Sequence, residues 1–114
     1  MYEFSVDKPI YLQIVELVKV RIVRGEYVEA LPPARALALE LGVNPNTVAR
    51  AYRELEREGV IRTRVGKGSF VNREKVEQLE RELVKKAFEE FLVALKNLGL
   101  GKKKVKEILE GLYD

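Results

Sequence analysis

The feature that most constrains this chain is a helix break only a few residues long. Leu37, Ala38 and Leu41 recur at helical spacing until Gly42, and after one intervening Val43 the pair Asn44-Pro45 opens a new helix. Glycine ends a helix because it enters the left-handed region without a side-chain clash. Asparagine caps the next helix by accepting a backbone N–H, and proline suits a first helical position, whose own N–H has no partner. Two helices joined by about three residues have the spacing of a helix-turn-helix unit.

The flanking sequence supplies what such a unit packs against. Pro9 is placed as the first residue of a helix along which Ile10, Ile14, Val15, Val18 and Ile22 recur until Gly25. A connector with a Pro-Pro pair follows, and Pro33 starts a second helix over 34–41. The third helix is predicted from Pro45 to Glu58 and is closed by Gly59. Val60, Ile61, Thr63 and Val65 then alternate loosely with Arg62 and Arg64, Gly66-Lys67-Gly68 makes a turn, and Ser69-Phe70-Val71 resumes an extended pattern. That is a two-stranded hairpin. Beyond Asn72 comes a long charged helix, a break at Gly99-Leu100-Gly101, and a short final helix with Val105, Ile108, Leu109 and Leu112. The predicted class is mainly α with a small β-hairpin. A winged helix-turn-helix domain over 1–72 is followed by a short two-helix C-terminal dimerisation region over 73–114.

Composition narrows the function. The 114 residues contain no Cys and no His, which removes disulfides, thiol nucleophiles, imidazole bases and the common soft or borderline metal sites. No acidic residues pair for acid/base work, so neither an enzyme nor a metal or cofactor site is expected. No stretch reaches the roughly 20 apolar residues a membrane helix needs, and Met1-Tyr2-Glu3 lacks the basic flank of a signal peptide. The expectation is a cytoplasmic protein without a membrane segment. The net charge of +3 is small, but residues 34–73 hold eight basic side chains against four Glu. That local excess points to an anionic partner.

At about 100° per residue the third helix sorts its side chains into two faces. Asn46, Arg50, Arg53 and Arg57 share one stripe, and Val48, Ala51, Tyr52 and Leu55 lie opposite. Asn and Arg can make bidentate contacts to base edges and charge-assisted bonds to phosphates. A recognition helix reads mainly from its N-terminal end, so Asn44, Asn46, Thr47 and Arg50 are the candidates for base contact, with Asn44 first of all a cap. Arg53 and Arg57 are the candidates for meeting phosphates or staying in solvent. Arg35, at the start of the second helix, is placed to reach the DNA backbone, and the hairpin adds Arg62, Arg64, Lys67 and Gly68. The same stripe, interleaved with Glu54, Glu56 and Glu58, also fits a solvated face with local ion pairs. The alternative function is a winged-helix protein-interaction module that meets an acidic partner.

From Pro9 to Val71 the chain resembles the winged helix-turn-helix domain of the GntR family of transcription regulators. The resemblance is carried by Pro9-Ile10-Tyr11-Leu12-Gln13-Ile14, by Leu31-Pro32-x-x-Arg35-x-Leu37-Ala38, by Leu55-Glu56-x-Glu58-Gly59 and by Gly66-Lys67-Gly68-Ser69-Phe70-Val71. Residues 43–52 are similar to the YtrA-like subfamily. The resemblance implies DNA contacts at Arg35, at the start of the third helix and at the wing glycines. Many members have Ser or Thr where Pro33 stands and Arg where Pro45 and Ala49 stand. Base readout therefore falls more heavily on Asn46 and Arg50.

In the tail, apolar positions 84, 88, 91, 95 and 98 follow the spacing of a helix-packing seam. The expected dimer interface is Leu83, Val84, Ala87, Phe88, Phe91, Leu92, Leu95, Leu98, Ile108 and Leu112. Folding of this helix back on its own domain is the competing arrangement. A homodimer would set two recognition helices on successive major-groove turns of an inverted-repeat operator in double-stranded DNA, about 34 Å apart. Two helices do not readily enclose a drug-sized pocket, so a built-in effector sensor is not expected, and no effector is named by the sequence. The resemblance implies a repressor of its own operon, with transporter genes among the targets of YtrA-like relatives.

Overall fold

The computed structural model describes residues 2–112. In chain order the elements are α1 (Ile10–Val23), α2 (Ala34–Leu41), α3 (Pro45–Arg57), β1 (Ile61–Arg64) and β2 (Gly68–Val71). A 3-10 turn (Arg73–Lys75), α4 (Val76–Asn97) and α5 (Lys102–Leu112) complete the chain. The architecture is mainly helical with one antiparallel hairpin. Two compact units divide between Glu80 and Arg81, so the start of α4 belongs to the first unit, where Leu79 is buried.

Each of the first three helices buries one stripe. The buried sets are Ile14, Val15, Val18 and Ile22 on α1, Leu37, Ala38 and Leu41 on α2, and Val48, Ala51, Tyr52 and Leu55 on α3. α3 packs against α1, α2 and β1, and Leu31, Val60, Ile61 and Val71 complete the core. Enclosing a Leu or Ile side chain contributes about 1.5 to 3 kcal/mol each, so this stripe fixes which face of α3 is left to solvent. Two sequence-based boundaries shift by one residue, the start of α1 and the end of α3, while α2 spans the predicted 34–41. Pro9 and Pro33 cap their helices rather than begin them, because their carbonyls accept the first helical N–H groups, from Leu12 and Leu37. Glu58 is the C-cap of α3 rather than its last residue. Ile10, expected on the apolar stripe of α1, is exposed.

The tight turn works as its residues dictate. Gly42 takes φ +72°, and its N–H and that of Val43 both donate to the Ala38 carbonyl, at 2.9 and 3.0 Å. Two residues on, Asn44 Oδ1 accepts the Asn46 N–H at 2.8 Å and Pro45 occupies the first turn of α3. A polar clamp holds the approach to α2. Tyr52 donates its hydroxyl to the Pro32 carbonyl at 2.7 Å, and burial pushes this phenol above its ordinary pKa. Arg21 donates to the Tyr27 hydroxyl at 2.7 Å and to both oxygens of Glu40, at 3.2 and 2.5 Å. The Arg21 guanidinium holds the Glu40 carboxyl below its usual value.

The hairpin pairs Ile61 with Val71, Arg62 with Phe70, Thr63 with Ser69 and Arg64 with Gly68. A segment of the Pro-Pro connector runs along its other edge. Leu31 N–H donates to the Ser69 carbonyl at 2.9 Å, Val71 N–H donates to the Glu29 carbonyl at 2.7 Å, and Ala30 bridges Phe70. Buried Asn72 donates its amide to the Gly59 carbonyl at 2.8 Å. The wing is thereby tied at its base on both sides.

In the second unit the helices meet through half-covered Leu95, Val105 and Leu109. Among the described residues Val84, Phe88, Phe91, Leu92, Val93, Leu98, Leu100, Ile108 and Leu112 are exposed, Phe88 at 56% and Phe91 at 43%. An apolar groove between α4 and α5 is lined by Leu92, Leu95, Leu100, Val105 and Leu109 and edged by Lys96, Lys102 and Lys106. Among the described residues no helix is long and apolar enough to cross a membrane.

Candidate nucleic-acid interface

The outward face of α3 follows from the face it buries. With Val48, Ala51, Tyr52 and Leu55 enclosed, Asn46, Arg50 and Arg53 are left exposed and Thr47 half-exposed. Two concave surfaces meet along this face. One is lined by Pro9, Ile10, Tyr11, Asn46, Thr47, Arg50 and Arg53. The other runs from Leu31–Ala34 past Ala49, Arg53 and Glu56 to Thr63, Lys67, Gly68 and Ser69 on the wing. Arg53 stands on both, and exposed Arg35 lies one residue beyond Ala34 in the first turn of α2. The structure thus brings Asn46, Thr47, Arg50, Arg53, Lys67 and Gly68 to one surface.

The cations differ in what already holds them. Arg57 is committed to Glu54 on its own helix through two hydrogen bonds, which raise the arginine's pKa and lower the glutamate's. Two of its five N–H donors are thereby engaged within its own helix. Arg50 instead lays its guanidinium over the ring of Tyr11, 3.8 Å from the ring centroid. Stacking of this kind orders an arginine while leaving its N–H edge available.

The wing divides its residues by strand parity. Ile61 and Thr63 share one face of β1, so Arg62 and Arg64 take the other. That face carries Phe70, Arg73 and Glu74, and Arg64 lies over the Phe70 ring at 4.7 Å while Arg62 is 3.9 Å from Glu74. Arg62 and Arg64 are therefore separated from the α3 side of the hairpin, where Lys67 and Gly68 stand. Gly68 has φ +105° and open space where a side chain would begin, a conformation that suits close approach of backbone to a ligand. Thr63 N–H donates to Glu56 Oε2 at 3.0 Å, which latches the wing to the last turn of α3.

Asn44 is occupied as a cap. Two participants escaped the sequence reasoning as site residues. Tyr11 is half-buried at the N-terminal end of the buried stripe of α1, three and four residues before Ile14 and Val15, so periodicity reads it as a core residue and no sequence signal marks it as part of the site. Glu56 reads in the sequence as one of the solvated glutamates, and no sequence signal shows that it receives a strand N–H.

A three-helix core with a tight helix-turn-helix, a wing and an Asn/Arg face on the second helix of that motif defines a winged helix-turn-helix protein. The family model described as bacterial regulatory proteins, gntR family, matches residues 10–71, and the chain belongs to this family. It is 41% identical over 114 residues to an uncharacterized HTH-type transcriptional regulator, YhcF of Bacillus subtilis, covering 96% of this chain and 92% of that protein. It is 44% identical over 66 residues to the HTH-type transcriptional repressor YtrA of Bacillus subtilis, covering 56% of this chain and 51% of that one. Among solved structures, a GntR family transcriptional regulator from Listeria monocytogenes matches with a TM-score of 0.81 at 38% identity, over 95% of this chain and 98% of that chain. The protein is a DNA-binding transcriptional regulator, not an enzyme.

Proposed function

We propose that the protein is a dimeric repressor that binds an inverted-repeat operator, acting in the cytoplasm on its own operon. α3 enters the major groove, with Asn46, Thr47 and Arg50 toward base edges and Arg53 and Arg35 toward phosphates. Lys67 and Gly68 meet the adjacent backbone or minor groove, Asn44 serves as the cap, and Arg62 and Arg64 add to the positive field of the wing. The observation that carries this reading is the division of α3. Its apolar stripe is enclosed, and the opposite face carries Asn46, Arg50 and Arg53 flanked by Lys67. Similarity to the repressor YtrA supports repression.

The dimer rests on the second unit, where Leu83, Val84, Ala87, Phe88, Phe91, Leu92, Leu95, Leu98, Ile108 and Leu112 form the interface between two copies. Exposure of Phe88, Phe91 and their neighbours supports this, since apolar patches of such extent mark interaction sites. Two-fold symmetry then places the α3 helices one DNA turn apart, about 34 Å. Selection of bound sequences from random duplex DNA tests the whole reading. The expected result is an enriched dyad with half-sites centred about 10 base pairs apart. Enrichment of a single asymmetric half-site would overturn the dimer arrangement, and retention of DNA without sequence preference would overturn base readout.

A further inference from the structure

The Arg50 stack invites a question about what Tyr11 contributes to reading DNA. Arg50 is exposed, and among the described residues it has no carboxylate partner. No ion pair among the described residues therefore restrains it. A free arginine at an interface must surrender rotamer freedom when it binds, and a mobile guanidinium meets a wrong base nearly as readily as the right one. The Tyr11 ring removes that freedom beforehand. It lies 3.8 Å from the guanidinium carbon, closer than Phe70 to Arg64 at 4.7 Å or Tyr27 to Arg21 at 5.8 Å.

The manner of restraint matters. A carboxylate orders an arginine by consuming donors, as Glu54 does to Arg57. An aromatic ring covers the guanidinium's flat face and leaves the in-plane N–H groups free. Tyr11 is itself half-buried on α1, which is anchored in the core through Ile14, Val15 and Val18, so the ring is a fixed platform. Platform and reader come from different elements, α1 and α3, and share a concave surface with Asn46 and Thr47.

We propose that Tyr11 is a specificity-determining positioning residue, whose ring holds the Arg50 guanidinium in the plane that reads one base pair of each half-site. The inference rests on the assignment of Arg50 to base readout. It separates Tyr11 from a phosphate-binding or purely structural role by a sharp expectation. Loss of the ring degrades discrimination at the base pair that Arg50 reads, not affinity for all DNA.

The test uses the full chain, the operator duplex recovered by selection, and a set of operators each changed at one base pair. Affinities are measured for the wild type, Arg50→Ala, Tyr11→Leu, Tyr11→Phe and the double variant Tyr11→Leu/Arg50→Ala, with thermal melting of each. Arg50→Ala is expected to flatten discrimination at one position of the half-site. Tyr11→Leu should lower discrimination at that same position by about two- to fivefold, the size of an exposed cation–π contact, with no change in salt slope because no charge is removed. Tyr11→Phe keeps the ring and should keep discrimination within about twofold. In the Arg50→Ala background Tyr11→Leu should change discrimination no further.

Equal weakening on every operator by Tyr11→Leu overturns the proposal, as does an additive double variant. Loss of discrimination in Tyr11→Phe also overturns it, and that arm decides the matter alone if Tyr11→Leu does not fold. Arg50→Ala without effect on any position removes the readout assignment itself, an outcome distinct from a normal Arg50→Ala beside a silent Tyr11→Leu.

Discussion

α3 and the tail helices carry the same kind of amphipathic stripe and meet opposite fates. Val48, Ala51, Tyr52 and Leu55 of α3 are all enclosed by α1, α2 and β1, so the helix has one face for the protein and one for solvent. Beyond Glu80 the described apolar side chains of α4 and α5 are exposed or only half-covered, with Phe88 and Phe91 both exposed. A stripe at helical spacing states that a face must be buried and leaves open what buries it. In the first case other elements of the chain do so. In the second the face is proposed to be closed by another copy.

The largest expected effect breaks the comparison on the tail side. Phe88→Asp or Phe91→Asp places a charge in the seam at two symmetry-related positions, at about 3 kcal/mol or more for each. Sedimentation velocity at micromolar concentration should show a monomer that binds operator weakly. A variant that sediments as a dimer would place the seam elsewhere. On the α3 side, Leu55→Ala removes a fully enclosed side chain and should lower stability by about 2 to 5 kcal/mol in denaturant titration. A loss below about 1 kcal/mol is incompatible with the enclosed core described above.

Smaller effects sharpen the solvent face of α3 and its wing. Lys67→Ala should weaken binding uniformly on all sequences and make the salt slope shallower by about one unit. A changed sequence preference would contradict a phosphate role. The smallest effect concerns the clamp behind α2. Arg21 holds the Glu40 carboxyl below its ordinary pKa, so its contribution is present above the unfolded value and is lost as pH falls through the folded one. Glu40 is half-exposed, so the contribution is below about 1 kcal/mol. Glu40→Gln should be less stable than wild type at neutral pH and should converge with it below the folded pKa. An equal deficit at both pH values would show that charge is not the cause.

Much of the first unit is legible along the chain because its signals are local. Gly42 and Asn44 act on backbone groups within four residues, and the stripes of α1, α2 and α3 are read by counting. The boundary of α2 at 34–41 follows directly from this. What stayed illegible joins residues distant in sequence. Glu29–Leu31 read as a plain connector, because its sequence carries turn signals and nothing marks it as a partner for Ser69 and Val71. Arg62 and Arg64 read as companions of Lys67, because alternation shows that two faces exist without showing which one looks toward α3.

The sequence by itself determined the order and kind of the elements, the tight turn between α2 and α3, and the segregation of Asn and Arg onto one stripe. Hydrogen bonding, capping and side-chain periodicity act over a few residues and need no partner from elsewhere. Only the tertiary structure decided that Tyr11 lies beneath Arg50, that Glu56 latches Thr63, and that Lys67 shares a surface with Arg53. Those contacts depend on how α1, α3 and the wing are set against one another, which the packing of Ile14, Leu37, Leu55 and Ile61 in a common core establishes.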